Sequence, residues 1–123
     1  MGYHMNSSGR WAKTEPVTLA PSATRDDSSA TGVEIELGDK GTLRLVATVT
    51  AKSGTDPTLD LTVETKGEDG TWYEAGTFAQ FDDPTVPAAQ RQVFAVDRWV
   101  RLKWEVGGTS SPDFTFEVKG EAA

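Results

Sequence analysis

Apolar and polar residues alternate strictly along five segments of the chain. In residues 99–106 (WVRLKWEV), Val100, Leu102, Trp104 and Val106 share one parity, and mostly charged residues occupy the other. Side chains of a β-strand point alternately to its two faces, so this pattern predicts strands with one buried and one solvated face. The five segments are residues 33–37, 42–50, 59–66, 99–106 and 113–119.

Turn-forming residues separate these segments, because glycine and aspartate reach positive φ values and proline ends strand pairing. Two less regular runs, around residues 72–78 and 92–96, predict two further strands. No segment has a sustained helical period. The sequence therefore predicts an all-β protein: a single antiparallel β-sandwich or jelly roll of about seven or eight strands. The predicted turns are residues 38–41, 53–57, 67–70, 81–87 and 107–113.

The first 31 residues differ in composition from the rest of the chain. They are rich in Ser, Thr, Ala and Pro, and their sparse apolar residues show no sustained period. This composition predicts a flexible or extended N-terminal arm over residues 1–31, followed by the sandwich domain over residues 32–123. Residues 1–4 look vector-derived, with Met5 as the natural start. An arm of this kind could also become ordered on a neighbouring subunit, with Trp11, Val17 and Leu19 as its anchors.

The alternation at residues 99–106 places the two tryptophans of this segment on opposite faces of the predicted strand. Trp104 shares its side with the apolar residues and is predicted to lie in the core. Trp99 lies on the other face with Arg101 and Lys103. These three residues either cover the sheet locally or contact a partner.

Composition and charge restrict the classes of partner. The chain has 19 acidic and 12 basic residues, a formal net charge of −7. An acidic protein is a poor candidate for binding nucleic acid, which requires a positive surface. No apolar run approaches the roughly 18 residues of a membrane-spanning helix, and no signal-peptide pattern is visible. We therefore expect neither nucleic acid nor membrane as a partner.

Candidate chemistry is sparse. Cysteine is absent and His4 is the only histidine, which argues against thiolate sites and Ser–His–Asp catalysis. The segment GDKGT at residues 38–42 is better explained by a hairpin than by a phosphate-binding loop. A calcium site at the acid pairs, or a carboxylate-pair glycosidase, would fit by residue type alone. We expect no enzymatic activity, no metal site and no cofactor. The acid pairs are Asp26–Asp27, Glu68–Asp69 and Asp82–Asp83.

Two short pieces resemble discoidin-like, galactose-binding jelly rolls. Residues 67–78 (GEDGTWYEAGTF) are similar to the turn of that family, and residues 97–105 (DRWVRLKWE) to its Arg-aromatic strand. The resemblance implies that Trp72 and Trp104 are framework residues. In that family the sugar site lies in the loops at one end, where this chain has one aromatic residue, Phe81.

A longer stretch resembles small structural proteins encoded by tailed phages and prophages, especially those of actinobacteria. The shared order includes LGDKGTLRL, SGTDPTLD, EDGTW, DRWVRLKW, GGTSSPDFTF and a terminal VKGEA, which together span nearly all of residues 33–122. The resemblance implies a non-catalytic virion component, made in the bacterial host cytoplasm, that decorates or cements the capsid. Its partners would be the major capsid protein, other virion subunits or further copies of itself. A head–tail or tail accessory subunit, and a carbohydrate or cell-surface binding module, remain alternatives.

Overall fold

The computed structural model describes the backbone of residues 2–5 and 11–123 and the side chains of residues 14–123. Most of this backbone is in β-strands, and no helix in the described residues is long and apolar enough to cross a membrane. The predicted all-β class is confirmed. The strands are β1 (Gly2–Met5), β2 (Trp11–Arg25), β3 (Ala30–Thr31), β4 (Ile35–Glu36), β5 (Thr42–Lys66), β6 (Trp72–Thr77), β7 (Phe81–Asp82), β8 (Ala88–Ala95) and β9 (Trp99–Ala122).

Strands β5 and β9 form a long antiparallel ribbon that bends near its middle. Their pairing joins residues 43–66 to residues 99–122, and its register shifts only between residues 49 and 58 of β5. The two strands bend side by side, where Gly54 and Gly108 have φ values of 96° and 117°. Residues with a Cβ rarely adopt such values. The glycines therefore let the ribbon turn from one layer of the molecule into the other.

The bend assigns the two halves of each long strand to different sheets. The first sheet has the order β2, residues 114–122 of β9, residues 42–52 of β5, and β8. The second has β3 and β4, then residues 99–106 of β9, residues 58–66 of β5, and finally β6 and β7. All pairings are antiparallel. Two layers of four strand positions connected in this way form a jelly roll, which confirms the predicted fold.

The apolar faces of the two sheets meet in one core. Two ring contacts join the layers: Trp104 meets Phe116 with centroids 6.1 Å apart, and Phe78 meets Phe94 at 5.4 Å. Both pairs are edge-to-face, which suits the opposite charges of ring face and ring edge. Trp104 is therefore a core residue, as its parity predicts. The largest fully buried side chains are Phe114, Phe116, Leu19, Leu43, Leu45, Leu59, Leu61, Leu102, Val49, Val63, Val100 and Val118.

Arg25 covers the aromatic pair Trp104 and Phe116. Its Cζ lies 5.1 Å from the Trp104 ring centroid and 4.4 Å from that of Phe116. Its Nη1 donates to the Phe116 carbonyl at 2.9 Å, and its Nη2 to the Pro21 carbonyl at 2.7 Å. Burial lowers the pKa of Arg25, and the charge of Asp27 acts in the opposite direction. The guanidinium thus covers the rings while keeping hydrogen-bond partners.

Residues 14–31 belong to the sandwich, so the predicted domain boundary at residue 31 is wrong. Strand β2 pairs with β9 over residues 15–25, and its Val17 and Leu19 are buried. The register shifts twice between residues 18 and 23. Each shift breaks the period-two alternation of side chains, so this strand has no regular pattern in the sequence.

The segment at residues 33–37 forms a shorter strand than its alternation predicts. Only Ile35 and Glu36 pair with β9, and Val33 is 67% exposed although Leu37 is buried. This segment lies at an edge of the second sheet. The other four alternating segments lie within β5 and β9 with their apolar sides inward, as predicted.

Candidate functional site

Four large side chains form a row across the outer face of the second sheet. The register places Glu36 of β4, Trp99 of β9, Lys66 of β5 and Trp72 of β6 opposite one another. Directly opposed residues on neighbouring antiparallel strands share a face and have close Cβ atoms. The sheet therefore places one lysine between two tryptophans.

Lys66 is held by both indole rings and by a carboxylate. Its Nζ lies 4.8 Å from the Trp72 ring centroid and 5.3 Å from that of Trp99. The same Nζ donates to Glu34 Oε1 at 2.8 Å, and 21% of the lysine side chain is exposed. The negative face of an indole attracts a cation, more strongly where water is partly excluded. Lys66 of β5 therefore links β6, β9 and residue 34, which immediately precedes β4, on this face.

Two arginines complete the arrangement. The Cζ of Arg101 lies 4.1 Å from the Trp72 ring centroid, and its Nε donates to Glu64 Oε1 at 2.8 Å. The Cζ of Arg98 lies 4.9 Å from the Trp99 ring centroid. Each tryptophan ring thus contacts two cations. We call these side chains the tryptophan–cation cluster: Trp72, Trp99, Lys66, Arg98 and Arg101.

Carboxylates around the cluster balance its charge. The hydrogen bond and the charge of Lys66 lower the pKa of Glu34, with a further contribution from the charge of Arg101. The Nη2 of Arg98 donates to Glu36 at 2.9 Å, and this hydrogen bond and the charge of Glu36 raise the pKa of Arg98. Glu34 and Arg98 are therefore both charged at neutral pH.

Thr65 positions the beginning of β9 beneath the cluster. Its buried hydroxyl donates to the Trp99 carbonyl at 2.9 Å and accepts from the Asp97 N–H at 2.7 Å. These two bonds fix Asp97 and Trp99 against β5. The orientation of Trp99 thus depends on a polar group in the interior.

The predicted contact residues of β9 lie on this outer face. Trp99 and Arg101 belong to the tryptophan–cation cluster. Lys103 lies further along the same face, with its Nζ 3.4 Å from Glu105 Oε1. The structure therefore brings Trp99 and Arg101 together and places Lys103 beside them.

Two of the three anchors predicted in the N-terminal arm do not lie on the surface. Val17 and Leu19 are buried in the core. The prediction that they contact a partner is wrong, because their side chains attach β2 to its own sandwich. The backbone of Trp11 pairs with that of Met5, and the Trp11 side chain lies outside the described residues.

Three members of the cluster, Lys66, Trp72 and Arg98, were not predicted as contact residues. Trp72, interpreted as framework, lies half-buried on the outer face. The alternation in β5 places Lys66 on a polar face, which is a weak signal shared by every exposed lysine. Only the cross-strand register shows that these side chains meet.

The cluster is suited to protein contact. Its charges are paired and its rings are held in place, so little conformational freedom remains to be lost on binding. Tryptophan and arginine are also the residues most enriched at the energetic centres of protein interfaces. Within residues 14–123, no group of three or more His, Asp or Glu side chains is arranged to hold a metal ion.

No protein-family model and no curated protein match the chain. Solved structures match its fold over 89% of its length: a structure of the Gx strain of infectious bursal disease virus, with a TM-score of 0.57, and a VP2 subviral particle of the same virus, at 0.54. Each matched chain is 13% identical to this one. The present chain spans about a third of their length, 31% and 32%. This likeness shows a shared jelly-roll fold.

Proposed function

We propose that the chain is a non-catalytic structural protein of a virion, and specifically a decoration or cement protein that binds and stabilises the assembled phage head. The observation that carries the proposal is the jelly roll itself, whose fold extends over 89% of the chain in the match to a VP2 subviral particle. The resemblance of residues 33–122 to structural proteins of tailed phages supports the phage assignment.

The contact surface in this proposal is the outer face of the second sheet. Trp72 and Trp99 are half-buried, and their neighbouring cations are already paired with carboxylates. A surface of this kind can be covered by a partner without leaving an unpaired buried charge, which would oppose binding. The partner in this proposal is the major capsid protein.

Cementing follows from binding equilibria. A protein that binds the assembled lattice and not the free subunits stabilises the lattice by mass action. Several weak contacts made by copies on one shell add through their high effective concentration. This function requires a stable fold and a surface complementary to the capsid, and it requires no reacting group.

A head–tail or tail accessory role would use the same surface on a different partner. A sugar-binding module would need an open aromatic platform, whereas Trp72 and Trp99 each contact two cations. The cluster geometry therefore favours a protein partner.

Co-sedimentation with cognate capsids that lack the protein tests the proposal. We expect saturable binding at a fixed ratio to the major capsid protein and a higher disruption temperature of the shell. If the protein binds purified tails and does not bind capsids, it is a tail component instead. Absence of binding to both would overturn the virion assignment.

Variants connect the result to the surface. Trp99→Ser removes a ring of the cluster, and Tyr73→Ser removes an exposed aromatic residue of β6 outside it. We expect weaker capsid binding for the first and unchanged binding for the second. Deletion of residues 1–13 tests the N-terminal segment while leaving the β2 pairing with β9, which begins at residue 15.

A further inference from the structure

The outer face of the first sheet carries two valines and two arginines in a checkerboard. Arg44 of β5 lies opposite Val93 of β8, and Val46 lies opposite Arg91. Val46 is 38% exposed and Val93 is 58% exposed, two of the four exposed large apolar residues among the described side chains. We call these four side chains the Arg–Val patch.

A groove of about 550 Å³ adjoins this patch, and its lining includes Arg44, Val46, Arg91 and Pro16, with Glu121 beside Arg44. Its volume falls within the range of about 300–1,000 Å³ typical of ligand sites. Gly120 forms part of the groove wall. A Cβ on Gly120 would lie 2.9 Å from Leu45 Cα, so only glycine allows the two strands to approach here.

Arg91 gives this groove a positive charge that no carboxylate of the described side chains neutralises. Among the described side chains it is the one arginine or lysine that has neither an ion pair nor a hydrogen bond. Its neighbour Arg44 lies 3.6 Å from Glu121 Oε1, a long and partly exposed pair. The groove thus has one free guanidinium with five N–H donors, on a protein whose net charge is −7.

We propose that this groove binds an extended acidic segment of the neighbouring capsid subunit. A carboxylate of that segment pairs with Arg91, and its apolar side chains contact Val46 and Val93. The inference rests on the proposed function, because it names the chemistry of the partner segment. It adds a second contact surface, on the opposite sheet from the tryptophan–cation cluster.

Charge and shape together select this occupant. Arginine presents a planar fork of donors that matches a carboxylate in two parallel hydrogen bonds. On each strand a cation and a valine lie two residues apart on the same face, so an extended segment with an apolar residue at position i and an acidic residue at i+2 complements both.

Titration with a synthetic peptide tests the groove independently of any capsid. The probe is the blocked hexapeptide GVSESG, whose valine and glutamate lie two residues apart and so share one face when extended; the control is GVSKSG, which replaces the acid by a cation. We expect GVSESG to shift the amide resonances of residues 44–46 and 91–93 and the Arg91 Nε–H resonance, and GVSKSG to leave them unchanged. Equal shifts with both peptides, or none with either, would overturn the inference.

Two variants then assign peptide binding to Arg91. Arg91→Gln removes the free guanidinium, and Arg98→Gln removes one arginine at the other sheet. Loss of a charge-assisted contact weakens binding by about tenfold or more. We expect that loss for GVSESG with Arg91→Gln, and peptide affinity close to that of the wild type with Arg98→Gln.

Capsid binding separates failure of this inference from failure of the proposed function. If Arg91→Gln binds capsids as tightly as the wild type does, the groove contact is overturned and the decoration function stands. Peptide binding by a protein that does not bind capsids would support the acidic-segment site but overturn its capsid partner. A dimer that dissociates on Arg91→Gln substitution would instead identify the occupant as a second copy of the chain.

Discussion

The guanidinium of Arg101 lies over the indole of Trp72, with Cζ 4.1 Å from the ring centroid. The same indole is contacted by Lys66 from the neighbouring strand. One ring of β6 thus binds cations of β9 and β5 together. The outer face of the second sheet is held by side-chain contacts as well as by its backbone hydrogen bonds.

Replacing Lys66 by methionine should destabilise the fold by about 1–2 kcal/mol, because two cation–aromatic contacts and a partly exposed ion pair are lost. The apolar stem is largely retained, so the change reports on the charge. Denaturant unfolding measures it. Lys103→Met removes one more exposed ion pair and should cost less than about 0.5 kcal/mol; equal costs would contradict a special role for Lys66.

Replacing Thr65 by valine should cost about 1–3 kcal/mol, because the Asp97 N–H and the Trp99 carbonyl lose their shared partner. Thr62 lies on the outer face of the same strand and serves as the control. Thr62→Val should leave the midpoint of thermal unfolding nearly unchanged. A Thr65→Val protein with wild-type stability would show that the hydroxyl does not hold the turn at residues 96–98.

Lowering the pH should reduce the stability of the fold, partly through protonation of Glu34 and Asp69. Lysine hydrogen bonding and charge lower the pKa of Glu34 from its ordinary value of 4.5, and hydrogen bonds from Thr71 and Tyr73 lower that of Asp69 from 3.8. A carboxylate whose pKa is lowered by folding stabilises the fold at pH values above its ordinary pKa, where it is ionised. Their contribution is lost as the pH falls through the lower folded values.

Thermal unfolding between about pH 6 and 2.5 tests this account. The Tm of Glu34→Gln should fall less steeply with acidification than that of the wild type, and the same holds for Asp69→Asn. Glu74 makes no ion pair or hydrogen bond among the described side chains, and Glu74→Gln is the control. Parallel curves for wild type and Glu34→Gln would contradict the assignment.

Gly120 should tolerate no side chain. A Cβ would meet the Arg44 carbonyl and lie 2.9 Å from Leu45 Cα, both of them backbone atoms that cannot move independently. Gly120→Ala should therefore cost more than about 3 kcal/mol, which is at the severe end for a single substitution. Gly41→Ala, where no atom lies within 4 Å of the added Cβ, should be nearly neutral by thermal unfolding.

Alternation predicted the central strands well because each buries one face. Trp104 shares parity with Val100 and Leu102, and all three lie in the core. Strand β2 was not predicted because its register shifts interrupt the alternation around Leu19. A local pattern also could not show that β5 and β9 each pass through both layers, since the bend resembles a turn in sequence.

The candidate surfaces were predicted only in part. Parity placed Trp99 and Arg101 outward, but their partners Lys66 and Trp72 lie 33 and 27 residues away from Trp99 in sequence. Such a meeting depends on strand order, which no local pattern contains. The free state of Arg91 likewise depends on which acidic residues the fold brings near it.

Quantitative mass spectrometry of purified phage particles tests the central claim most directly. The account predicts that the chain is present at a fixed ratio to the major capsid protein. That ratio should survive density-gradient purification and be the same in tailless heads. Absence of the chain from intact particles, or a copy number that varies between preparations, would contradict a structural role in the virion.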